Sequence, residues 1–305
     1  MINSVKPNLI VSDSRGAWFR ATILFILALI GTVGMWSVVV FIPDIEKEFG
    51  LDRGTSSLLY AFTMIGFGFG TVVIGKVYDK FGIKKPILLA TFVLIISYYF
   101  YSIFPFYWQF LILQFFMGFA ASAFFGPAMA DISNFFNKQR GFALSIVASA
   151  NYVAGATWPL LIGYFLTFID WRAAHFWISI CLFIMIPLIL LLKNASVDES
   201  KSHDMKQRYK DIRLDLSNNQ IQVLLMLAGI CCCVAMAMPQ VHMVALCVDN
   251  GFGLQVGTEI LAVMLYSGMI SRIVFGMISD RIGPVLTLLL GSFLQMVSLT
   301  FFLPF

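Results

Sequence analysis

The chain has 305 residues, of which 60% are hydrophobic and only 12% are charged, and its mean hydropathy is +0.88. Soluble domains carry about 25% charged residues, so this composition excludes an ordinary soluble globular protein. The formal net charge of +4 does not indicate nucleic acid as a partner, because the basic residues are scattered among the polar segments between apolar runs.

Apolar runs follow one another along the whole chain, and each is long enough to cross a bilayer as a helix, which takes roughly 20 residues. We predict spans 1–9 at residues 19–42, 56–77, 86–104, 108–131, 140–168, 173–192, 219–247, 258–279 and 284–303. Each run is continuous rather than alternating, which is typical of helices and not of barrel strands. The first run is longer than a signal-peptide core, so we interpret it as a retained helix.

A single long polar segment divides the chain into two parts. We predict an N-terminal six-helix bundle over residues 1–192, a cytoplasmic linker over 193–218 with a surface helix at 204–215, and a partial C-terminal bundle over 219–305. The predicted fold class is therefore an all-α integral membrane bundle with six plus three spanning helices.

The basic residues are distributed unevenly between the two sides of the predicted spans. Sixteen of the 20 Lys and Arg residues fall on the side of the N-terminus, three fall on the opposite side, and Arg272 lies inside span 8. The positive-inside rule then predicts a cytoplasmic N-terminus. We expect a multi-pass protein surrounded by lipid in the cell's inner membrane.

One short sequence occurs twice, which indicates an internal repeat. Gly75-Lys-Val-Tyr-Asp79-Lys80-Phe-Gly82 recurs 201 residues later as Gly276-Met-Ile-Ser-Asp280-Arg281-Ile-Gly283, and residues 49–55 recur at 252–258 with an offset of 203. Two related halves of helices are typical of secondary transporters. The repeat predicts three further helices after span 9, twelve in all, so we expect the chain to be incomplete at its C-terminus.

The repeated sequence places a glycine and an aspartate one helical turn apart, on the same face. The glycine allows a neighbouring helix to approach, and the carboxylate can then meet the N-terminal dipole of that helix or a basic side chain. A glycine at position 82 suits a left-handed turn. We expect a latch at the cytoplasmic side, which forms and breaks as two bundles rock. Its residues are Gly75, Asp79, Lys80, Gly82, Gly276, Asp280, Arg281 and Gly283.

These residues resemble the major facilitator superfamily, whose helix 2–3 signature is Gly-x-x-x-Asp-Arg/Lys-x-Gly-Arg-Arg/Lys, with a weaker copy at helices 8–9. The sequence Gly155-x-x-x-Pro159-x-x-x-Gly163 is similar to the helix 5 motif of that family, and the resemblance implies a packing role for these three residues. In the helix 4 motif, Gln114 stands where the family has an arginine. Residues 135–143 and Arg272-x-x-x-Gly276 resemble the monocarboxylate and oxalate/formate branch.

The resemblance implies a secondary transporter that moves a small organic anion, a monocarboxylate or dicarboxylate, by alternating access. It implies a proton or a counter-anion as the coupled ion, no cofactor, and a monomer. In relatives of that branch an aspartate often precedes the arginine by one turn, where this chain has Gly268. That difference favours anion exchange over proton symport.

Arg272 is the strongest candidate for binding the solute. An arginine inside a span costs at least about 2.5 kcal/mol on insertion scales, and its planar fork suits a carboxylate. The alternative is a structural role, in which Arg272 reaches the inner surface or pairs with Asp280. Further candidates for binding are Gln114, His242, Trp36, Asn151 and Tyr152. Helix–helix hydrogen bonding is the alternative for Gln114, and an interfacial hydrogen bond is the alternative for His242.

Other classes of function find less support in the residues. The chain has no His-Glu-x-x-His, no Gly-x-Ser-x-Gly and no phosphate loop, so we do not expect an enzyme. With three histidines and with most of its five cysteines inside spans, it offers little for a metal site. A solute sensor that does not transport would need a large signalling domain, and the linker has under 30 residues. A truncated, non-functional carrier fragment stays an alternative.

Overall fold

The computed structural model describes residues 13–192 and 217–302, and this part of the chain contains nine long helices. We label them α1 (Arg15–Phe49), α2 (Arg53–Phe81), α3 (Lys84–Ile103), α4 (Tyr107–Ser133), α5 (Arg140–Phe165), α6 (Trp171–Leu191), α7 (Asn218–Asp249), α8 (Gly253–Ile282) and α9 (Pro284–Phe302). They coincide in order with spans 1–9, so the all-α membrane fold is confirmed for the described residues. The predicted linker helix at 204–215 lies outside them.

Three of the helices change their local geometry part of the way along. In α1 a turn at Thr32 separates Arg15–Gly31 from Val33–Phe49, while α4 and α6 each contain a short 3₁₀ segment. At the turn, both the backbone N–H and the hydroxyl of Thr32 donate to the carbonyl of Ala28. Both hydrogen-bond donors of Thr32 are therefore satisfied at the break, as lipid surroundings require.

The first helix lies at the centre of the fold, and its side chains such as Leu27, Val38 and Phe41 are fully buried. Helices α7 and α9 instead expose large apolar side chains, among them Val234 and Leu289 at 66% and 62% exposure. Exposed apolar side chains of this kind suit a hydrocarbon environment.

Helices α2 and α4 touch backbone to backbone through glycines. A Cβ atom on Gly66 would collide with the carbonyl oxygen of Phe115, and one on Gly118 would collide with that of Thr63. Small residues allow such close approach in membranes, where van der Waals packing takes over from the hydrophobic effect.

Contacts near the ends of the helices define two ends of the bundle. At one end the carboxylate of Asp13 accepts hydrogen bonds from the backbone N–H groups of Asn137 and Lys138. At the other end the carboxylate of Glu48 accepts from the side chains of Trp171 and Arg172. We call the first the inner end and the second the outer end, following the predicted orientation.

A buried ion pair ties α1 to α4 near the inner end. The guanidinium of Arg20 donates from Nε to Asp131 at 2.6 Å and from Nη2 at 2.9 Å. Both side chains are buried, at 4% and 8% exposure. A charged pair in such surroundings needs this two-pronged geometry, because each charge has lost its water.

Both copies of the repeated sequence end in the same unusual backbone conformation. Gly82 has φ 72° and ψ −176°, and its counterpart Gly283 has φ 87° and ψ 161°. The predicted left-handed helical conformation at Gly82 is wrong in ψ, since the turn is more extended. This region of backbone space is open essentially only to glycine.

Candidate functional site

Arg272 lies in α8, ten residues before its end at Ile282, which is about 15 Å along the helix axis. Its Nη1 donates a 2.9 Å hydrogen bond to the carbonyl oxygen of Ala148 in α5. The guanidinium carbon lies 4.3 Å from the centroid of the Tyr152 ring, a cation–π arrangement. We call α1–α6 the first half of the described chain and α7–α9 the second half. The arginine therefore joins the two halves. It does not pair with Asp280, the partner that the structural alternative named.

Most of the hydrogen-bonding capacity of Arg272 stays open. A guanidinium has five N–H donors, and within the described residues only the bond to Ala148 uses one. The ion pairs of this part of the chain do not include Arg272. Its positive charge is thus half-buried between helices without a carboxylate to balance it.

A second contact brings α1 to the same place on α5. The indole Nε1 of Trp36 donates to the side-chain oxygen of Asn151 at 3.0 Å, and the Trp36 side chain is nearly fully buried. Its ring lies directly on the backbone of α5, because a Cβ atom at Gly155 would come within 2.5 Å of Trp36 Cε2. Gly155 therefore makes room for the indole.

Tyr152, the next residue in α5, contacts both α7 and α8. Its hydroxyl donates to the sulfur of Met236 at 3.1 Å, and its ring passes 3.1 Å from where a Cβ atom of Gly268 would lie. Tyr152 of α5 therefore contacts both α7 and α8, and it follows directly after Asn151, where α1 meets α5. We call Trp36, Asn151, Tyr152 and Arg272 the interface cluster.

Two of the predicted binding residues lie outside the interface cluster. Gln114 is fully buried in α4, where its oxygen accepts from Thr63 at 2.9 Å and its nitrogen donates to Tyr101 at 3.5 Å. His242 is exposed on α7 and makes no hydrogen bond to any described residue. A role for either of them in binding stays a prediction.

The second copy of the repeated motif forms a contact between the halves at the inner end. The carboxylate of Asp280 accepts hydrogen bonds from the backbone N–H groups of Gly141 at 2.8 Å and Phe142 at 2.9 Å, in the first turn of α5. These N–H groups have no partner within their own helix, and the helix dipole favours a negative charge there. Gly276 allows the approach, since a Cβ atom on it would strike the side chain of Ser145.

The first copy of the motif has the same backbone but different surroundings. Asp79 is exposed and has no hydrogen bond or ion pair to the described residues, and a Cβ atom on Gly75 would meet nothing within 4 Å. Lys80 lies over the ring of Phe81 at 5.3 Å, while Arg281 is exposed. The two repeats thus share a shape, but only Asp280 has a partner in the described part of the chain.

The remaining residues of the helix 5 motif lie along the same helix. Pro159 is buried within α5, and Gly163 would place a Cβ atom 3.9 Å from Thr258 of α8, an ordinary contact. The described residues contain no group of three or more His, Cys, Asp or Glu side chains arranged to hold a metal ion.

Known proteins resemble this chain along most of its length. The sequence profile of the Major Facilitator Superfamily matches residues 24–305. The MFS-type transporter pynF of Aspergillus niger is 27% identical over 221 residues, 70% of this chain and 49% of the relative. The agnestins efflux protein of Paecilomyces divaricatus is 24% identical over 80% of this chain and 56% of the relative. The chain thus spans about half the length of these two relatives.

A solved structure agrees at the level of the fold. The xylose transporter XylE from E. coli, in its inward open conformation, superposes with a TM-score of 0.52 over 87% of this chain and 66% of that chain, at 14% identity. The profile match covers far more than half of the sequence and includes both copies of the motif. The chain therefore belongs to the Major Facilitator Superfamily, a family of transporters and not of enzymes.

Proposed function

We propose that the protein is a secondary active transporter that moves a small organic anion, a monocarboxylate or dicarboxylate, by alternating access. The observation that carries this proposal is the position of Arg272. Its charge lies between the two halves, inside a spanning helix, without a carboxylate partner among the described residues. An intramembrane arginine in such a place is a candidate site for an anion.

The interface cluster offers the chemistry for holding a carboxylate. The open N–H donors of Arg272 form a planar fork that matches the two carboxylate oxygens. The ring of Tyr152 lies 4.3 Å from the guanidinium carbon and supports the positive charge by a cation–π contact. Asn151, the chain neighbour of Tyr152, carries an amide that a hydrogen bond from Trp36 holds in place. The bound anion would replace water around the arginine and neutralise its charge.

Transport requires that the two halves separate at one end at a time. In this proposal the contact of Asp280 with α5 closes the inner end, and Gly276 allows the two helices to pack closely while it is closed. Asp79, Lys80 and Gly82, with Arg281 and Gly283, complete the gating motif at the same end.

The absence of a carboxylate beside Arg272, in the described part of the chain, favours exchange against a counter-anion over coupling to a proton. We further propose a monomer of the monocarboxylate and oxalate/formate branch, in the inner membrane, with a cytoplasmic N-terminus. The distribution of the basic residues supports this orientation.

The test is uptake of radiolabelled carboxylates into vesicles that contain the purified full chain. A panel of monocarboxylates and dicarboxylates, with neutral sugars as comparison solutes, distinguishes an anion transporter from members of the superfamily that move neutral solutes. We expect Arg272→Gln to lower uptake at least tenfold, and Arg272→Lys to raise KM because it keeps the charge without the fork.

Arg15→Gln is the matched control, since Arg15 is an exposed arginine in the first turn of α1 and lies outside the interface cluster. It removes the same charge and should leave uptake unchanged. Uptake that is unaltered by Arg272→Gln, or selective for the neutral sugars, contradicts the proposal.

A further inference from the structure

The internal repeat makes two acidic residues at the outer end equivalent. The offset of 203 residues that relates 49–55 to 252–258 also relates Glu46, near the end of α1, to Asp249, at the end of α7. Arg53 follows Glu46 in the first copy, whereas the corresponding residue in the second copy is Val256. The repeat therefore contains a carboxylate in both copies, Glu46 and Asp249, but an arginine in the first copy only.

That one arginine contacts both carboxylates. Arg53 Nε lies 2.9 Å from the Oε1 atom of Glu46, and its Nη2 lies 3.5 Å from the Oδ1 atom of Asp249. The guanidinium thus bridges repeat-equivalent positions on the first helix of each half. Val256 cannot make the reciprocal contact, so the bridge is asymmetric.

The two contacts differ in how firmly they are held. Glu46 is only 16% exposed and also accepts a hydrogen bond from the hydroxyl of Ser56, which fixes it within the first half. Asp249 is 63% exposed, and its contact with Arg53 is longer. If the halves move apart at the outer end, Arg53 stays on Glu46 and releases Asp249.

We propose that Arg53 is an outer latch, a positioning residue that holds the outer ends of α1 and α7 together and opposes the inner contact of Asp280. This inference rests on the proposed alternating access. Weakening the outer latch shifts the protein toward outward-open states. Weakening the contact of Asp280 shifts it the opposite way.

The outer end also provides a matched control. Glu48 and Arg172 form an ion pair at 2.5 Å, and both belong to the first half. Breaking this pair removes a similar interaction at the same end of the molecule without releasing α7 from α1. Its loss should therefore leave the distance between the halves unchanged.

The experiment measures that distance directly. Spin labels are placed at Lys47→Cys and Asn250→Cys, which are exposed and repeat-equivalent, after the five native cysteines have been replaced. Distance distributions are recorded for the full chain in lipid nanodiscs by double electron–electron resonance, without any solute. The label positions report on the outer end alone.

We expect Asp249→Asn and Arg53→Gln each to raise the ratio of long to short distances about two- to fivefold, the range for loss of an exposed ion pair. The double variant should show no further increase, because both changes remove one interaction. Glu48→Gln should leave the distribution as it is.

The latch is contradicted if Asp249→Asn leaves the distances unchanged, if the two changes add fully, or if Glu48→Gln produces the same shift. Because no solute is involved, the distances can shift even if carboxylate uptake is never detected. In that event the proposed function fails while the latch stands.

Discussion

Asp280 and Gly141 meet across the two halves of the chain, with the aspartate carboxylate accepting the backbone N–H of the glycine at 2.8 Å. The carboxylate comes from α8 and the N–H group from the first turn of α5. N–H groups that have no partner inside α5 thus donate to a carboxylate from the other half. The contact can break without disturbing the hydrogen bonds inside either helix.

We expect Asp280→Asn to loosen the first turn of α5. The substitution removes the negative charge that the helix dipole favours, an effect of about 1 kcal/mol. Hydrogen–deuterium exchange should then run about fivefold faster at the amides of Gly141 and Phe142. Asp170→Asn is the control, since it makes the same change at the first turn of α6, at the outer end of the bundle. Equal exchange rates in the two variants would contradict a latch at this position.

Gly155→Ala should disturb the interface cluster by displacing the indole ring of Trp36. Its Cβ atom would overlap the ring of Trp36, so the side chain has to move and the hydrogen bond to Asn151 is lost. Overpacking of this kind costs about 1–3 kcal/mol. We expect a lower melting temperature in detergent and a higher KM for the carboxylate in vesicles.

The control for this change lies in the same helix. Gly163→Ala adds the same methyl group, but its Cβ atom would lie 3.9 Å from Thr258, an ordinary contact. This variant should keep both the melting temperature and KM of the unaltered protein. If the two variants behave alike, the tight packing of Trp36 on α5 does not matter to the site.

The fold could be predicted from the sequence to a large extent. In lipid a long apolar segment has to satisfy its own backbone hydrogen bonds, which a helix does. The spacing of the glycine and the aspartate left two partners open for the carboxylate, a helix N-terminus or a basic side chain, and Asp280 contacts the first of these. The identity of that neighbour did not follow, since it lies about 140 residues away in the chain.

The interface cluster shows where prediction from sequence ends. Arg272 stood out because a charge inside a span is costly, but its contacts with Ala148 and Tyr152 depend on how α8 is rotated against α5. Gln114 was selected for its polarity and for its place in the helix 4 motif. A buried amide can line a path or join helices equally well, and here it bonds to Thr63 and Tyr101.

Breaking the buried pair of Arg20 and Asp131 is expected to lower the stability of the first half more than losing the pair altogether. Asp131→Ala removes the carboxylate that balances the buried guanidinium of Arg20, which costs about 3–5 kcal/mol. The measurement is thermal unfolding in detergent, with Glu48→Gln as the exposed comparison at about 0–1 kcal/mol. The double variant Arg20→Met, Asp131→Leu should recover much of the loss, because no uncompensated charge remains. A double variant as unstable as Asp131→Ala would show that the pair does more than balance charge.

Gly268→Asp would test directly whether an unbalanced Arg272 is what binds the solute. Position 268 lies one turn before Arg272 in α8 and faces Tyr152, so the new carboxylate can pair with the guanidinium. At neutral pH we expect uptake of the carboxylate to fall strongly, because the site is already occupied by an anion. Gly268→Asn separates this effect from simple crowding of Tyr152, since it adds nearly the same bulk without charge and should keep more of the uptake than Gly268→Asp. Equal loss of uptake in the two variants would mean that the charge of Arg272 is not the feature that the solute recognises.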